Sequence, residues 1–208
     1  MIKLILWDWN GTLLNDMPAW YAAIRETFSA FGAQPPTLDE YFGELEGHDY
    51  WGLYSTRGIT ASLEELNRVY GKTYNRAINR IALAAAARQV LKELRRRGIM
   101  CGIISAQIPE LFDPLFMRLK LAPYFTYCHY PVFAKAEKIK ELVASEGIAL
   151  NHCLYIGDTP SDIRSAHKAG ATAVAYLNGY VPKFLVDAAK PDYTIRDLKE
   201  LLTIVEVR

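Results

Sequence analysis

Ile2-Lys3-Leu4-Ile5-Leu6-Trp7-Asp8-Trp9-Asn10-Gly11-Thr12-Leu13 is the stretch on which the reading of the fold turns. Residues 2–7 are apolar and rich in strand formers, the pattern of a strand buried on both faces of a parallel sheet. The run stops at a polar turn that carries a glycine. Three later runs share this character. Residues 99–104 end at Ser105, residues 153–156 end at Gly157-Asp158, and residues 171–176 end near Asn178-Gly179. Residues 124–127 read as a shorter strand and residues 193–195 as an edge strand.

Helical patterns separate these runs. Residues 84–97 place Ala87, Leu91 and Leu94 on one stripe, with Arg88, Lys92 and Arg95 outside it. Residues 134–146 repeat the arrangement with Ile139, Leu142 and Val143. Residues 161–169 predict a short helix ending at Gly170, and residues 197–202 a last one. Alternation of this kind predicts an α/β fold, a Rossmann-like parallel-sheet core with helices on both faces. In such sheets ligands bind beyond the carboxyl ends of the strands. Asp8, Ser105 and Asp158 are thereby expected on one rim.

Residues 15–80 break the alternation. Residues 18–31 place Tyr21, Ile24 and Phe28 on one stripe, and residues 38–45, 63–70 and 74–81 read as further helical segments, the last two around Gly71. We read residues 15–81 as an inserted helical cap over a core of residues 1–14 and 82–208. The plainer alternative is that these helices pad the sheet.

Composition excludes several function classes. The chain has 208 residues, 51% hydrophobic and 23% charged, enough for a core without disulfide or metal staples. With 24 basic against 23 acidic side chains there is no long-range field to gather nucleic acid or anionic lipid. The run Arg95-Arg96-Arg97 before Gly98 reads as a solvated helix end, where cations favour the dipole. Cys101, Cys128 and Cys153 lack metal-site or redox spacing. The first apolar run is too short for a signal peptide, and no stretch approaches bilayer length. A soluble cytoplasmic protein, monomer or homodimer, is the expectation, with a small phosphorylated molecule as its partner.

That partner follows from the polar residues at the strand ends. A carboxylate that attacks phosphorus splits one difficult displacement into two easier ones. Its charge must be reconciled with that of phosphate, which a hard divalent cation such as Mg2+ does through oxygen ligands. Lysine and hydroxyl donors then hold the equatorial oxygens. Asp8 stands where a nucleophile or metal ligand is needed. Gly11 lets the backbone turn closely, Thr12 and Ser105 add hydroxyls, and Lys135 opens a helical region. Asp158 and Asp162 lie four apart around a turn, Asp158 as a direct metal ligand and Asp162 as a ligand through water or a partner that orients Lys135.

Together these motifs resemble the haloacid dehalogenase superfamily, in particular its small phosphatases of the phosphoglycolate phosphatase type. Asp8-Trp9-Asn10-Gly11-Thr12-Leu13 resembles the first motif, usually Asp-x-Asp-Gly-Thr-Leu. Ser105 matches the second, Lys135 the third, and Gly157-Asp158-Thr159-Pro160-Ser161-Asp162 the fourth. The resemblance covers nearly the whole chain and implies a Mg2+-dependent phosphoric monoester hydrolase with an aspartyl-phosphate at Asp8. It implies that Asp8, the Asn10 carbonyl and Asp158 hold the metal. Ser105, Lys135 and the backbone amides around Trp9, Asn10 and Gly11 would hold the phosphoryl group.

Asn10 departs from the pattern. The family's phosphatases usually have an aspartate there, acting as general acid and then general base. Asparagine hydrogen-bonds but exchanges no proton near neutral pH. Three readings stay open: slow turnover or a leaving group that needs little protonation, such as an acyl phosphate or anhydride; a substitute carboxylate such as Asp16 or one from the cap; or a phosphate-binding or regulatory protein without significant turnover. An engineered aspartate-to-asparagine change would also account for it. Asp16, Trp20, His48, Tyr50 and Trp51 are the residues expected to select the substrate.

Overall fold

Leu4–Trp7 forms β1, every residue of it buried, and the chain then enters the turn 9–13. A computed structural model of the chain describes residues 1–45 and 50–207. After the turn come β2 (Leu14–Asn15), α1 (Met17–Ala30), α2 (Leu38–Leu45), α3 (Tyr50–Thr56) and α4 (Leu63–Ala77). β3 (Ala82–Leu83) pairs antiparallel with β2, so a two-stranded ribbon stands where the chain leaves the sheet and where it returns. The core then alternates through α5 (Ala87–Arg96), β4 (Met100–Ile104), α6 (Pro109–Arg118), β5 (Tyr127–His129), α7 (Lys135–Ser145) and β6 (Cys153–Gly157). It finishes with α8 (Pro160–Ala169), β7 (Thr172–Tyr176), α9 (Lys183–Ala188), β8 (Tyr193–Ile195) and α10 (Glu200–Val207).

The main sheet is six-stranded in the order β5-β4-β1-β6-β7-β8, and all its pairs are parallel. β1 lies between β4 and β6, with Leu6 opposite Gly102 on one side and Tyr155 on the other. The chain order reverses direction across the sheet at this strand, which opens a crevice at its carboxyl end. Asp8 is the first residue beyond that end.

Helix α4 is one continuous element where the sequence pattern suggests two segments around Gly71. A reciprocal cap between Ser62 and Glu65 sets its start, and packing of the helix along α1 carries it through the glycine. That packing offsets a propensity cost of about 1 kcal/mol. β5 falls at Tyr127–His129, later than expected, because residues around Pro123 form a tight turn instead. The sequence pattern does not announce α6, which carries Pro114 in its interior, or α9; burial of Leu111, Phe112 and Leu115 holds α6 together. α10 begins at Glu200, three residues after the expected start.

The basic run closes α5, where Glu93 pairs with Arg96 and Arg97, and Arg97 also reaches Glu206. Cys101 and Cys153 are buried and Cys128 is half-buried. Burial pushes each thiol up to about 12. The thiolate is the reactive form, so native protein near neutral pH is expected to react with Ellman's reagent roughly 10³-fold more slowly than an ordinary thiol. All three thiols should react at once in denaturant. Rapid labelling of the native protein would contradict this packing.

Candidate active site

The strand ends bring Asp8, Asp158 and Asp162 together, all buried, with one carboxylate oxygen of each within 4.8 Å of the others. Asp8 follows β1, Asp158 follows β6, and Asp162 lies in the first turn of α8. Burying three carboxylates costs heavily unless cations face them. Lys135, at the start of α7, supplies one: its Nζ donates to Asp8 Oδ1 at 2.6 Å and to Asp162 Oδ1 at 2.7 Å.

Asp162 is saturated. Its Oδ1 also accepts from the Tyr155 hydroxyl at 3.2 Å, and its Oδ2 accepts from the Thr159 N–H and hydroxyl at 3.1 and 2.6 Å. These bonds cap α8 and orient Lys135. Burial pushes the Asp162 carboxyl up, but Lys135 and Thr159 outweigh it and hold the group below its usual range. Gly157 permits this closeness, since a Cβ there would lie 2.4 Å from the Asp162 side chain.

Asp8 and Asp158 are less well compensated. Burial pushes Asp8 up to about 7, with Lys135 pulling down and Asp162 adding to the rise. Burial, Asp8 and Asp162 push Asp158 well above the carboxylate range. Among the described residues the donors to Asp158 are neutral, the Thr12 hydroxyl at 3.1 Å and Asn178 Nδ2 at 2.7 Å. Asn178 also donates to the Gly11 carbonyl at 3.0 Å, which ties the β7 end to the β1 turn. Gly11 has φ +72°, and a Cβ there would meet Asp158 Oδ2 at 2.5 Å. Hard oxygen donors with unbalanced negative charge are the donor set of a hard divalent cation.

Ser105 is buried beyond β4, and its Oγ accepts from the Gln107 N–H at 3.0 Å, leaving its own proton to donate. The Gly11 N–H, expected among the phosphate donors, instead donates to Asp16 Oδ1 at 2.8 Å. Asp16 is 1% exposed and stays out of the cleft. Its Oδ2 accepts from Asn10 Nδ2 at 2.5 Å and from the Tyr74 hydroxyl at 2.7 Å. Asn10 Oδ1 faces Gln107 Nε2 at 3.4 Å. Trp9 turns away and packs on Phe112, ring centroids 4.5 Å apart.

The cleft above these groups has a volume of ≈ 410 Å3. Trp20, Tyr41, Phe42 and Tyr70 wall it from the inserted helices, and Ile108 and Phe133 from the core side. Trp20 stacks on Phe42 at 5.7 Å. His48 lies outside the described residues; Tyr50 and Trp51 open α3, and their side chains lie outside that description. Tyr74, Gln107, Tyr155 and Asn178 join the site without forming part of any sequence motif. Asn178 alone left a signal, as a polar residue directly after a strand run.

A family model described as haloacid dehalogenase-like hydrolase matches residues 5–176. The chain is 24% identical to a phosphoglycolate phosphatase of Synechococcus elongatus, covering 98% of this chain and 97% of that one. It is 25% identical to a phosphoserine phosphatase of Thermus thermophilus, over 96% and 98% of the two chains. Among solved structures, a haloacid dehalogenase-like hydrolase from Streptococcus pneumoniae superposes with a TM-score of 0.79 at 21% identity, over 98% of both chains.

Proposed function

The chain belongs to the haloacid dehalogenase-like hydrolases, and on that premise we propose that it is a magnesium-dependent phosphatase that cleaves a small phosphomonoester through a phosphorylated Asp8. The observation that carries this reading is Asp8 standing beside Asp158 at the mouth of a cleft, with Lys135 bridging it to Asp162. Residues 1–14 and 82–208 act as the catalytic core, and residues 15–81 as a cap that excludes water and selects the leaving group.

Asp8, the Asn10 carbonyl and Asp158 would hold Mg2+, with Asp162 acting beyond them through Lys135. When bound, the cation neutralises the buried carboxylates and the incoming phosphate. Asp8 attacks phosphorus, and Lys135 and the Ser105 hydroxyl stabilise charge on the transferring group. The Trp9 and Asn10 amides add donors, while the Gly11 amide fixes Asp16. Water then attacks the phospho-aspartate and releases phosphate. The test is phosphate release from a panel of phosphorylated metabolites with Mg2+ and with EDTA. Mg2+-dependent release is expected. Silence across the panel, with phosphate still bound, would favour the binding-protein reading that Asn10 raises.

The carboxyl shifts give a second expectation. A carboxyl whose folded value exceeds its unfolded one lends stability below the unfolded value and loses it as pH climbs through the folded one. For Asp8 that window runs from 3.8 to about 7, and Asp158 acts in the same direction. Mg2+ should therefore raise the melting temperature more near pH ~8 than near pH ~5. Equal shifts at both would argue against a cation at these carboxylates.

A further inference from the structure

We infer that the substrate is an aryl phosphate, an ester whose leaving oxygen sits on an aromatic ring and departs without being handed a proton. The inference rests on the phosphatase reading and on two independent features, one chemical and one of shape.

The first is the orientation of Asn10. Its Nδ2 hydrogens are directed to Asp16 Oδ2 at 2.5 Å and the Tyr74 oxygen at 3.3 Å. Turning the amide over would set its carbonyl oxygen against the Asp16 carboxylate, so the bonding network fixes the assignment. The Asn10 side chain therefore turns toward the cleft an acceptor, Oδ1, which also accepts from Gln107 Nε2 at 3.4 Å, and offers a departing oxygen neither a proton nor an N–H. Asp16 cannot substitute, because it is 1% exposed and already accepts from Gly11, Asn10 and Tyr74. Among the described residues lining the cleft, the carboxylates are Asp8, Asp158 and Asp162, the cluster assigned to nucleophile and cation. Among the described residues, then, no carboxyl is left to protonate an expelled alkoxide, an aid typically worth roughly 10²–10⁴-fold in rate. A phenolate, already stabilised by its ring, leaves without that help.

The second feature is the wall. Trp20, Tyr41, Phe42 and Tyr70 face Ile108 and Phe133 across the ≈ 410 Å3 cleft. Phe133 is 62% exposed, so its ring face is open to a bound ligand. Hydroxyls set against the Trp20, Phe42, Ile108 and Phe133 faces would lose water without gaining partners, at about 1–3 kcal/mol each. A flat ring gains offset or edge contacts with the aromatic side chains. Asn67, Thr159 and Ser161 also line the cleft, beside the polar groups at its floor, and suit a polar substituent on that ring.

The chemistry balances. An Asp8 oxygen bonds to phosphorus as the phosphorus–aryl-oxygen bond breaks, and the phenolate keeps the electron pair and takes a proton from solvent. Water attacks phosphorus in the second step, restoring the Asp8 carboxylate and releasing hydrogen phosphate and one proton to solvent. Asn10 Oδ1 can orient that water by accepting one of its hydrogens.

The test uses full-length protein with Mg2+ and compares phenyl phosphates of graded phenol acidity with phosphoglycolate. The kcat/KM for phenyl phosphate is expected to exceed that for phosphoglycolate by at least about 10²-fold, and to fall as the phenol becomes less acidic. Asn10→Asp should flatten that dependence. Phe133→Ala, at an exposed position that the fold does not need, should lower kcat/KM for phenyl phosphate relative to acetyl phosphate by roughly tenfold. Preference for phosphoglycolate, or indifference to phenol acidity, would overturn the inference while leaving the phosphatase reading intact. Absence of any Asp8-dependent turnover would instead remove the reading beneath it.

Discussion

Asp8→Asn should lower Mg2+-dependent phosphate release by at least about 10⁴-fold while leaving the fold as stable as before, or more so. The two expectations share one cause. The variant keeps the shape of the side chain and removes the charge, and with it the nucleophile, because a neutral amide oxygen does not displace an alkoxide or phenolate from phosphorus. In the unmodified chain burial pushes the Asp8 carboxyl up to about 7, which means that the fold penalises its ionised form. Removing that charge relieves repulsion from Asp162 and Asp158. Lys135 keeps Asp162 at 2.7 Å as its partner. Phosphate release and thermal unfolding in EDTA, measured on the same preparation, separate the effects. A variant that unfolds would make the loss uninformative, and a folded variant with wild-type turnover would remove Asp8 from the mechanism.

The large effect expected at Asp8 follows from a position legible in the sequence. Four apolar runs, each ending in a polar residue, implied a parallel sheet with Asp8, Ser105 and Asp158 on one rim, and the strand order β4-β1-β6 places all three there. Period-two and period-3.6 patterns are strong where an element is buried on one or both faces, as in β1 and α5. They fail where proline disturbs the pattern, as in α6, or where a glycine sits inside a well-packed helix, as Gly71 does in α4.

The second ring of the site was hidden for a different reason. Tyr155 lies in an apolar strand and reads as core, yet its hydroxyl reaches Asp162. Tyr74 reads as one of several aromatics in the insertion, yet it bonds Asp16, 58 positions earlier. Such partners carry no spacing signal because the fold, not the chain, makes them neighbours. Asn10 shows the same limit from the other side. Its departure from the family pattern is visible in the sequence, but the direction its amide faces depends on Asp16, Tyr74 and Gln107 together.

Lys135→Met is the second large effect, and it concerns stability. The Lys135 side chain is 14% exposed and the carboxylates of Asp8 and Asp162 are 9% and 2% exposed, so solvent screens these pairs little. Breaking a buried pair by removing one partner typically costs about 3–5 kcal/mol, because the remaining charge has no compensation. Lys135 also contacts the face of the Tyr155 ring at 5.8 Å, which the variant loses. Denaturant unfolding in EDTA near neutral pH is expected to show a loss of that order. Adding Asp162→Asn should recover part of it, since the double variant removes the charge that the single one strands. Acidification should narrow the gap between wild type and Lys135→Met. Asp162 is held below its usual range by Lys135, and it contributes stability above the unfolded value of 3.8 that is lost as pH falls through its folded value. In the variant that contribution is absent at every pH. A loss under about 1 kcal/mol would mean that water screens the ion pair as it does at a surface. Strictly additive effects of the two substitutions would mean that Lys135 and Asp162 do not act as a pair.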